Sequence, residues 1–481
     1  MQEGKNCFMI NTEGVLDSFL EYEKNNKLFE KKIGDFAFWP YIRMDVYNQL
    51  FDLNLIIKPK RKKIKIAYNI FLNSMINNPY KIKDIDVLFI NSPRKFADEK
   101  NIYQDIYLDD ILTKATYKYS ILECIDIVTG GHLKPCENQE NLYFRDYLDA
   151  KVFINSLFMK NNSAITVRVY EIIKDIEKVF NKKINIELLV SIANKKYKQW
   201  KASKKVYSYF FEKVKPKIIV EICSYNTSNM IFNELAHEKK IPVIELQHGV
   251  MGKGHLAYNY GKHEKHKFFP DYIFLFSDFW KQYTKLPLEN DKIIVTGFPY
   301  LEKKINANNI QKEKTNTILF VSQPTIGEKL FEIALDLSKL LNEKYKIIFK
   351  LHPSEANELI LHEKKLRSNR INNILVAKNT NISIYEYFNK CSIQVGYTST
   401  AIYESLAFNL KTYIYKDKLS ELYMEDLCEM NYAEYFTNAE ELALKIKNKK
   451  SKDIIDKEFW AKDSIENINS NLLKIMNKES E

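Results

Sequence analysis

The strongest constraint on this chain is an alternation of short apolar runs with stretches of helical length, and the alternation occurs twice. Residues 217–222, 241–246, 272–276 and 292–296 are rich in Ile, Val, Phe and Tyr. An earlier run of the same kind, 86–90, is closed by Asn91-Ser92-Pro93, residue types that end strands in turns. Between 217–222 and 241–246 lies the amphipathic stretch 227–240, long enough for a helix. Strands that are apolar throughout are buried on both faces, so this order predicts a parallel sheet covered by helices. The pattern then restarts. Strands are expected at 317–321, 346–351, 373–376, 392–396 and 411–415, with helices over 328–343, 383–390 and 400–408. The fold class is therefore α/β, with two doubly wound, Rossmann-like domains.

The polar, aperiodic residues 306–316 read as a linker, which assigns 1–305 to a first domain and 317–453 to a second. Residues 1–65 read as a helical, basic extension, 163–211 as a long helical region, and 454–481 as a final helix that packs back on the first domain. With 45% hydrophobic residues and only 12 Gly and 12 Pro, the chain is too apolar for a disordered protein and unlike a collagenous or linker-rich one. Lys and Arg total 73 against 62 Asp and Glu, a formal +11. That excess suits phosphates, anionic sugars or a negatively charged membrane face without singling out nucleic acid. Part of it is concentrated in Lys58, Lys60, Arg61, Lys62, Lys63 and Lys65, with no acid among them. Such a run is either a solvated linker or a contact for anionic lipid. The cysteines at 7, 124, 136, 223, 391 and 428 form no CxxC and no Cys/His cluster, so reduced thiols are expected rather than a disulfide or zinc scaffold. The first residues lack the charge-then-apolar order of a signal peptide, and no stretch approaches the roughly 18–20 apolar residues of a membrane span. A cytoplasmic protein, peripheral at the inner face of the plasma membrane, is the expectation.

In open α/β sheets ligands bind beyond the carboxyl ends of the strands. The residues there are Gln247-His248-Gly249 after 241–246, Gly297-Phe298-Pro299 after 292–296, and Ser322-Gln323-Pro324-Thr325 after 317–321. Lys350, His352 and Pro353 close 346–351, and Thr398-Ser399-Thr400 precedes Glu404 after 392–396. Each alone has a plain structural reading: a turn, or a hydroxyl capping a helix. A helix start is also a ready phosphate site, and together these groups line one rim of both expected sheets. His255 and His263 lie in a polar loop with no strand to place them and are weaker candidates. Asp109-Asp110 reads as a helix start, and no Asp-x-Asp stands at a strand end, so no metal site is expected.

A Gln-His-Gly turn, a His-Pro in the second domain, and a Ser/Thr pair opening a helix with a downstream Glu resemble bacterial GT-B glycosyltransferases of capsule, lipopolysaccharide and teichoic-acid assembly. Within that group they resemble glycerophosphate polymerases of wall teichoic acid, Kdo transferases of capsule export, and sialyltransferases with a His-Pro motif. The stretch 245–406 also resembles capsular polysaccharide proteins with a Leu-Gln-His-Gly string. The likeness covers 220–415; before 210 it rests on Trp39-Pro40-Tyr41-Ile42-Arg43. It implies a GT-B-like fold, with an acceptor-side first domain and a nucleotide-sugar-binding second domain facing a cleft.

The resemblance further implies that His352, with Pro353, contacts the donor phosphate, and that Ser399 and Thr400 hydrogen-bond it. Glu404 accepts from ribose hydroxyls, and Ser322, Gln323, Thr325 and Lys350 complete the donor side. His248 is the catalytic base or positions the acceptor, while Gln247, Gly249, Phe298 and Pro299 line the acceptor side. The chain lacks the Trp-His-Gly of the teichoic-acid polymerases and the acidic Gly motif of polysialyltransferases, which leaves the donor open. The implied activity is an inverting, metal-independent transfer from a nucleotide sugar to a surface glycan or lipid-linked glycan, without a cofactor. The competing readings are a CMP-sialic acid or CMP-Kdo type transferase, a nucleotide-sugar 2-epimerase, and a non-enzymatic glycan-assembly factor.

Overall fold

The structure is a computed structural model that describes residues 14–53, 63–91, 95–97, 100–126, 130–261, 264–307, 314–341, 344–377, 382–448 and 460–478. Most of the basic run, 58–62, and His263 lie outside the described residues.

The strands are β1 (Val87–Asn91), β2 (Lys95–Ala97), β3 (Tyr103–Asp105), β4 (Tyr119–Glu123), β5 (Leu142–Phe144), β6 (Ile218–Ile222), β7 (Val243–Leu246), β8 (Tyr272–Leu275) and β9 (Ile293–Val295). They continue as β10 (Thr315–Val321), β11 (Lys346–Lys350), β12 (Ile374–Ala377), β13 (Cys391–Gly396), β14 (Lys411–Tyr415) and β15 (Ala433–Phe436). Seven form one sheet in the order β5-β4-β1-β6-β7-β8-β9, and six form another in the order β12-β11-β10-β13-β14-β15. All pairings in both sheets are parallel. In each sheet the order reverses direction once, between β1 and β6 and between β10 and β13, which opens a crevice at the carboxyl ends there. This is the GT-B-like pair of doubly wound sheets. The central strands β1, β6 and β7 are buried along their whole length, which is why they read as apolar runs, interrupted only by Asn91, Glu221 and Glu245.

Several elements differ from the sequence expectation. The region 163–211 is two helices, Ser163–Val179 and Ile186–Val214. They part where Asn181 takes a φ of 48° and the Asn185 side chain caps the second by accepting from the Leu188 N–H at 2.9 Å. Strands β4 and β15 carry polar residues and β5 is only three residues long, which hid them. The expected linker is narrower: helix Pro299–Ala307 and β10 take up its ends, and 308–313 lies outside the described residues.

Helix Ser464–Lys478 lies against the first sheet's side of the molecule. Asn469 accepts from the Tyr117 hydroxyl at 2.7 Å and donates to the Ile111 carbonyl at 3.1 Å. On the way there the chain passes Gly297, whose φ is +92° and where a Cβ would stand 2.6 Å from the Ala461 carbonyl oxygen. Only glycine fits both conditions.

Candidate active site

The site is built on the loop that follows β7. Gln247 is 1% exposed, and its amide is used at both ends: Oε1 accepts from the Phe276 N–H at 2.8 Å, and Nε2 donates to the Gly249 carbonyl at 2.9 Å. Gln247 therefore braces the turn instead of presenting itself to an acceptor. His248 comes next, with its side chain 10% exposed. Its Nδ1 lies 3.7 Å from Glu245 Oε1 and 3.5 Å from the Tyr258 hydroxyl, and its Nε2 lies 3.3 Å from the Tyr225 hydroxyl. The Tyr107 hydroxyl donates to the His248 carbonyl at 2.8 Å. Imidazole and backbone are thus held from three separate segments.

Behind His248 two carboxylates face each other. Glu221 on β6 is in register with Glu245 on β7, and both are fully buried. Tyr258 donates to Glu245 Oε1 at 2.5 Å, and Asn233 donates to Glu221 Oε1 at 2.7 Å. Burial first, and the neighbouring Glu245 second, push the Glu221 carboxyl up to about 8, so near neutrality Glu221 holds a proton. Tyr258 is positioned by the N-terminal extension: Arg43, paired with Glu23 at 2.7 Å, donates to the carbonyls of Leu256 and Asn259 at 3.2 and 3.1 Å. His255 is half-buried, with desolvation and His248 pulling its imidazole down to about 4, so it is a neutral packing group against Tyr423.

The second sheet supplies the opposite wall. Gln323 after β10 and Thr398 after β13 bridge that sheet's crevice, the Thr398 N–H donating to Gln323 Oε1 at 2.8 Å. Ser399 caps helix Thr400–Leu406 by accepting from the Ala401 N–H at 3.3 Å. His352 is exposed and caps the short helix opened by Pro353, its Nδ1 accepting from the Ser354 N–H at 3.2 Å. Glu355 ties this loop to the one after β10, accepting from the His352 N–H at 2.9 Å and the Ser322 hydroxyl at 3.1 Å. Thr325 is exposed.

The two walls meet. A Cβ on Gly249 would lie 3.3 Å from Thr400 Oγ1, so the Gln-His-Gly turn abuts the Ser/Thr helix start directly. Nearby, a Cβ on Gly254 would stand 2.0 Å from the Leu422 carbonyl oxygen of helix Lys418–Glu429. Lys253 pairs with Asp426 and Glu429 on that helix at 3.3 and 3.0 Å.

Three further expected residues, Lys350, Phe298 and Pro299, have different settings. Lys350 is 5% exposed and donates to the Leu351 carbonyl at 3.4 Å, and burial lowers its ammonium to about 8. Phe298 and Pro299 are buried rather than lining the cleft, Phe298 stacking on Phe276 and Tyr107. Glu404 accepts from the Tyr385 hydroxyl at 3.0 Å. Sequence reasoning missed Tyr258, Tyr225 and Tyr107. Glu245 is visible in the sequence as the acid nearest the Gln-His-Gly turn, but its place inside a strand argues there against a role. Among the described residues no group of three or more His, Cys, Asp or Glu side chains is arranged to hold a metal ion, and no helix is long and apolar enough to cross a membrane.

No protein-family model matches the chain, and no curated protein matches it. Among solved structures it is similar to MurG of Acinetobacter baumannii, with 10% identity, a TM-score of 0.49, and coverage of 81% of this chain and 99% of that one. It is also similar to the UDP-GlcNAc 2-epimerase of Methanocaldococcus jannaschii in complex with UDP-GlcNAc and UDP, with 12% identity, a TM-score of 0.45, and coverage of 82% and 99%. The wall teichoic acid polymerase TagF is similar at 11% identity and a TM-score of 0.43, over 87% of this chain and 98% of that one.

Proposed function

We propose that this chain is an inverting, metal-independent glycosyltransferase. In this reading it moves a sugar from a nucleotide-activated donor to a capsule or lipopolysaccharide glycan, free or lipid-linked. The observation that carries the reading is the junction of His248 and Gly249 with the Thr400 helix start. It sets an imidazole backed by a carboxylate against capping groups suited to a phosphate.

In the proposed reaction His248 Nε2 takes the proton of an acceptor hydroxyl as that oxygen attacks the anomeric carbon. The bond from that carbon to the donor phosphate oxygen breaks on the opposite face, and its electron pair leaves with the nucleotide. Glu245 and Tyr258 orient the ring through Nδ1, and the charge of Glu245 favours the imidazolium that forms. His352, Ser399 and Thr400 bind the charge that develops on the leaving phosphate.

The test is a screen of UDP, CDP, CMP and GDP by thermal shift, followed by turnover of the matching nucleotide sugar with and without EDTA. Protection by one nucleotide and acceptor-dependent, EDTA-insensitive release of it are expected. Conversion of UDP-GlcNAc to its 2-epimer without acceptor would replace this reading with the epimerase. No protection by any nucleotide would leave the assembly-factor reading.

A further inference from the structure

Helix Lys63–Ile76 is inside out. Among its described side chains, three asparagines turn inward and are hydrogen-bonded: Asn69 to the Gly130 carbonyl at 2.5 Å, Asn73 to Asp146 at 3.1 Å, and Asn77, just past its end, to the Leu142 carbonyl at 3.0 Å. Its outward positions, Tyr68, Phe71, Leu72, Met75 and Ile76, are apolar and exposed, Met75 at 69%. Spaced by three and four residues, they form one stripe. In a helix that only covers a core the stripe faces inward, so this one is built to face something other than water.

Helix Asp146–Leu157 packs beside it and repeats the feature. Leu148 and Val152 are buried, while Phe153, Ile154, Leu157 and the following Phe158 point outward, Phe158 at 84% exposure. Two adjoining helices with outward apolar stripes make a contiguous patch of a kind that soluble surfaces rarely leave open.

We propose that this face docks on an anionic lipid bilayer. Charge complementarity selects the occupant. No Asp or Glu occurs from 53 to 83 or from 150 to 170, whereas Lys63, Lys65, Lys151 and Lys160 fall within those stretches; Arg168 is paired with Glu171 and adds no net charge. Bulky apolar side chains bordered by cations are what an interfacial helix presents to acyl chains and acidic head groups. The same excess of Lys over acid in the sequence of these stretches disfavours a second copy of this face. The inference stands apart from the proposed transfer and does not depend on which nucleotide binds.

The full chain is sedimented with vesicles of phosphatidylglycerol and, in parallel, of phosphatidylcholine. Binding to the former and much weaker binding to the latter are expected. The combined variant Phe71→Ser, Met75→Ser, Phe153→Ser and Phe158→Ser should lower the bound fraction by about tenfold or more, as lost apolar burial requires, with melting temperature and nucleotide protection unchanged. As a second readout, Phe158→Trp should give a blue-shifted difference emission with phosphatidylglycerol vesicles. Equal pelleting of wild type and combined variant, wild type left in the supernatant with both lipids, a wild type that elutes as a dimer and binds no vesicle, or an unshifted Phe158→Trp would each overturn the proposal.

Discussion

At the rim of the first sheet the ionisable side chains are buried and face one another; at the rim of the second the polar side chains cap helices and stay partly open to water. Glu221, Glu245, Tyr258 and His248 form one chain of contacts in which Glu221 is shifted up to about 8 and Tyr258 well above its usual range. His352, Thr398, Ser399 and Thr400 are exposed or half-buried. On the proposed function the difference divides the labour. The proton transfer proposed at His248 is served by the rigid setting that burial supplies. A phosphate-binding wall needs N–H and O–H groups that a ligand can still reach.

The sharpest way to break this comparison is His248→Ala. It should lower turnover by about a hundredfold or more, the lower range for a general base, while nucleotide affinity and melting temperature hold. Wild-type turnover from the variant would move the proton-transfer role away from the first rim.

The second rim is tested by His352→Ala. Loss of a charge-assisted bond to phosphate should weaken nucleotide binding by about 1.5–3 kcal/mol, read by calorimetry. Because His352 is exposed and its cap is local, stability should change little. Unchanged affinity would leave Ser399 and Thr400 as the donor groups.

The smallest effect concerns buried charge itself. Glu221 has a folded-state value raised to about 8, so the folded chain holds a proton that the unfolded chain releases in the ordinary carboxylate range. Its contribution to stability is complete below that range and is lost as pH rises toward about 8. Melting temperatures from pH 5 to about pH 8.5 should therefore fall for the wild type, and the fall should be smaller in Glu221→Gln. Parallel pH curves for the two proteins would show that the carboxylate pair does not share its charge as described.

Much of the fold was legible in the amino-acid order. Strands buried on both faces are mostly apolar, so β1, β6, β7, β10, β11 and β13 stood out despite Glu221, Glu245 and Gln394, and the turn residues after them marked the rim. The Ser399 cap and the His352 loop were legible for the same local reason. Edge strands such as β5 and β15 were not, because Leu142–Phe144 and Ala433–Phe436 are too short for a run or a period to stand out among their polar flanks.

The sequence by itself determined the two parallel sheets, the rim on which the polar motifs lie, and the candidacy of His248, since each follows from burial and chain-local hydrogen bonding. Only the tertiary structure decided that Gln247 is a brace, that Phe298 is core, and that Glu245 and Tyr258 stand behind His248. It also decided that Gly249 meets Thr400, 151 positions away in the chain, and that helix Lys63–Ile76 turns its apolar stripe outward. Those facts depend on which segments come together in space. A helical period says that a stripe exists, but not whether core or solvent lies against it.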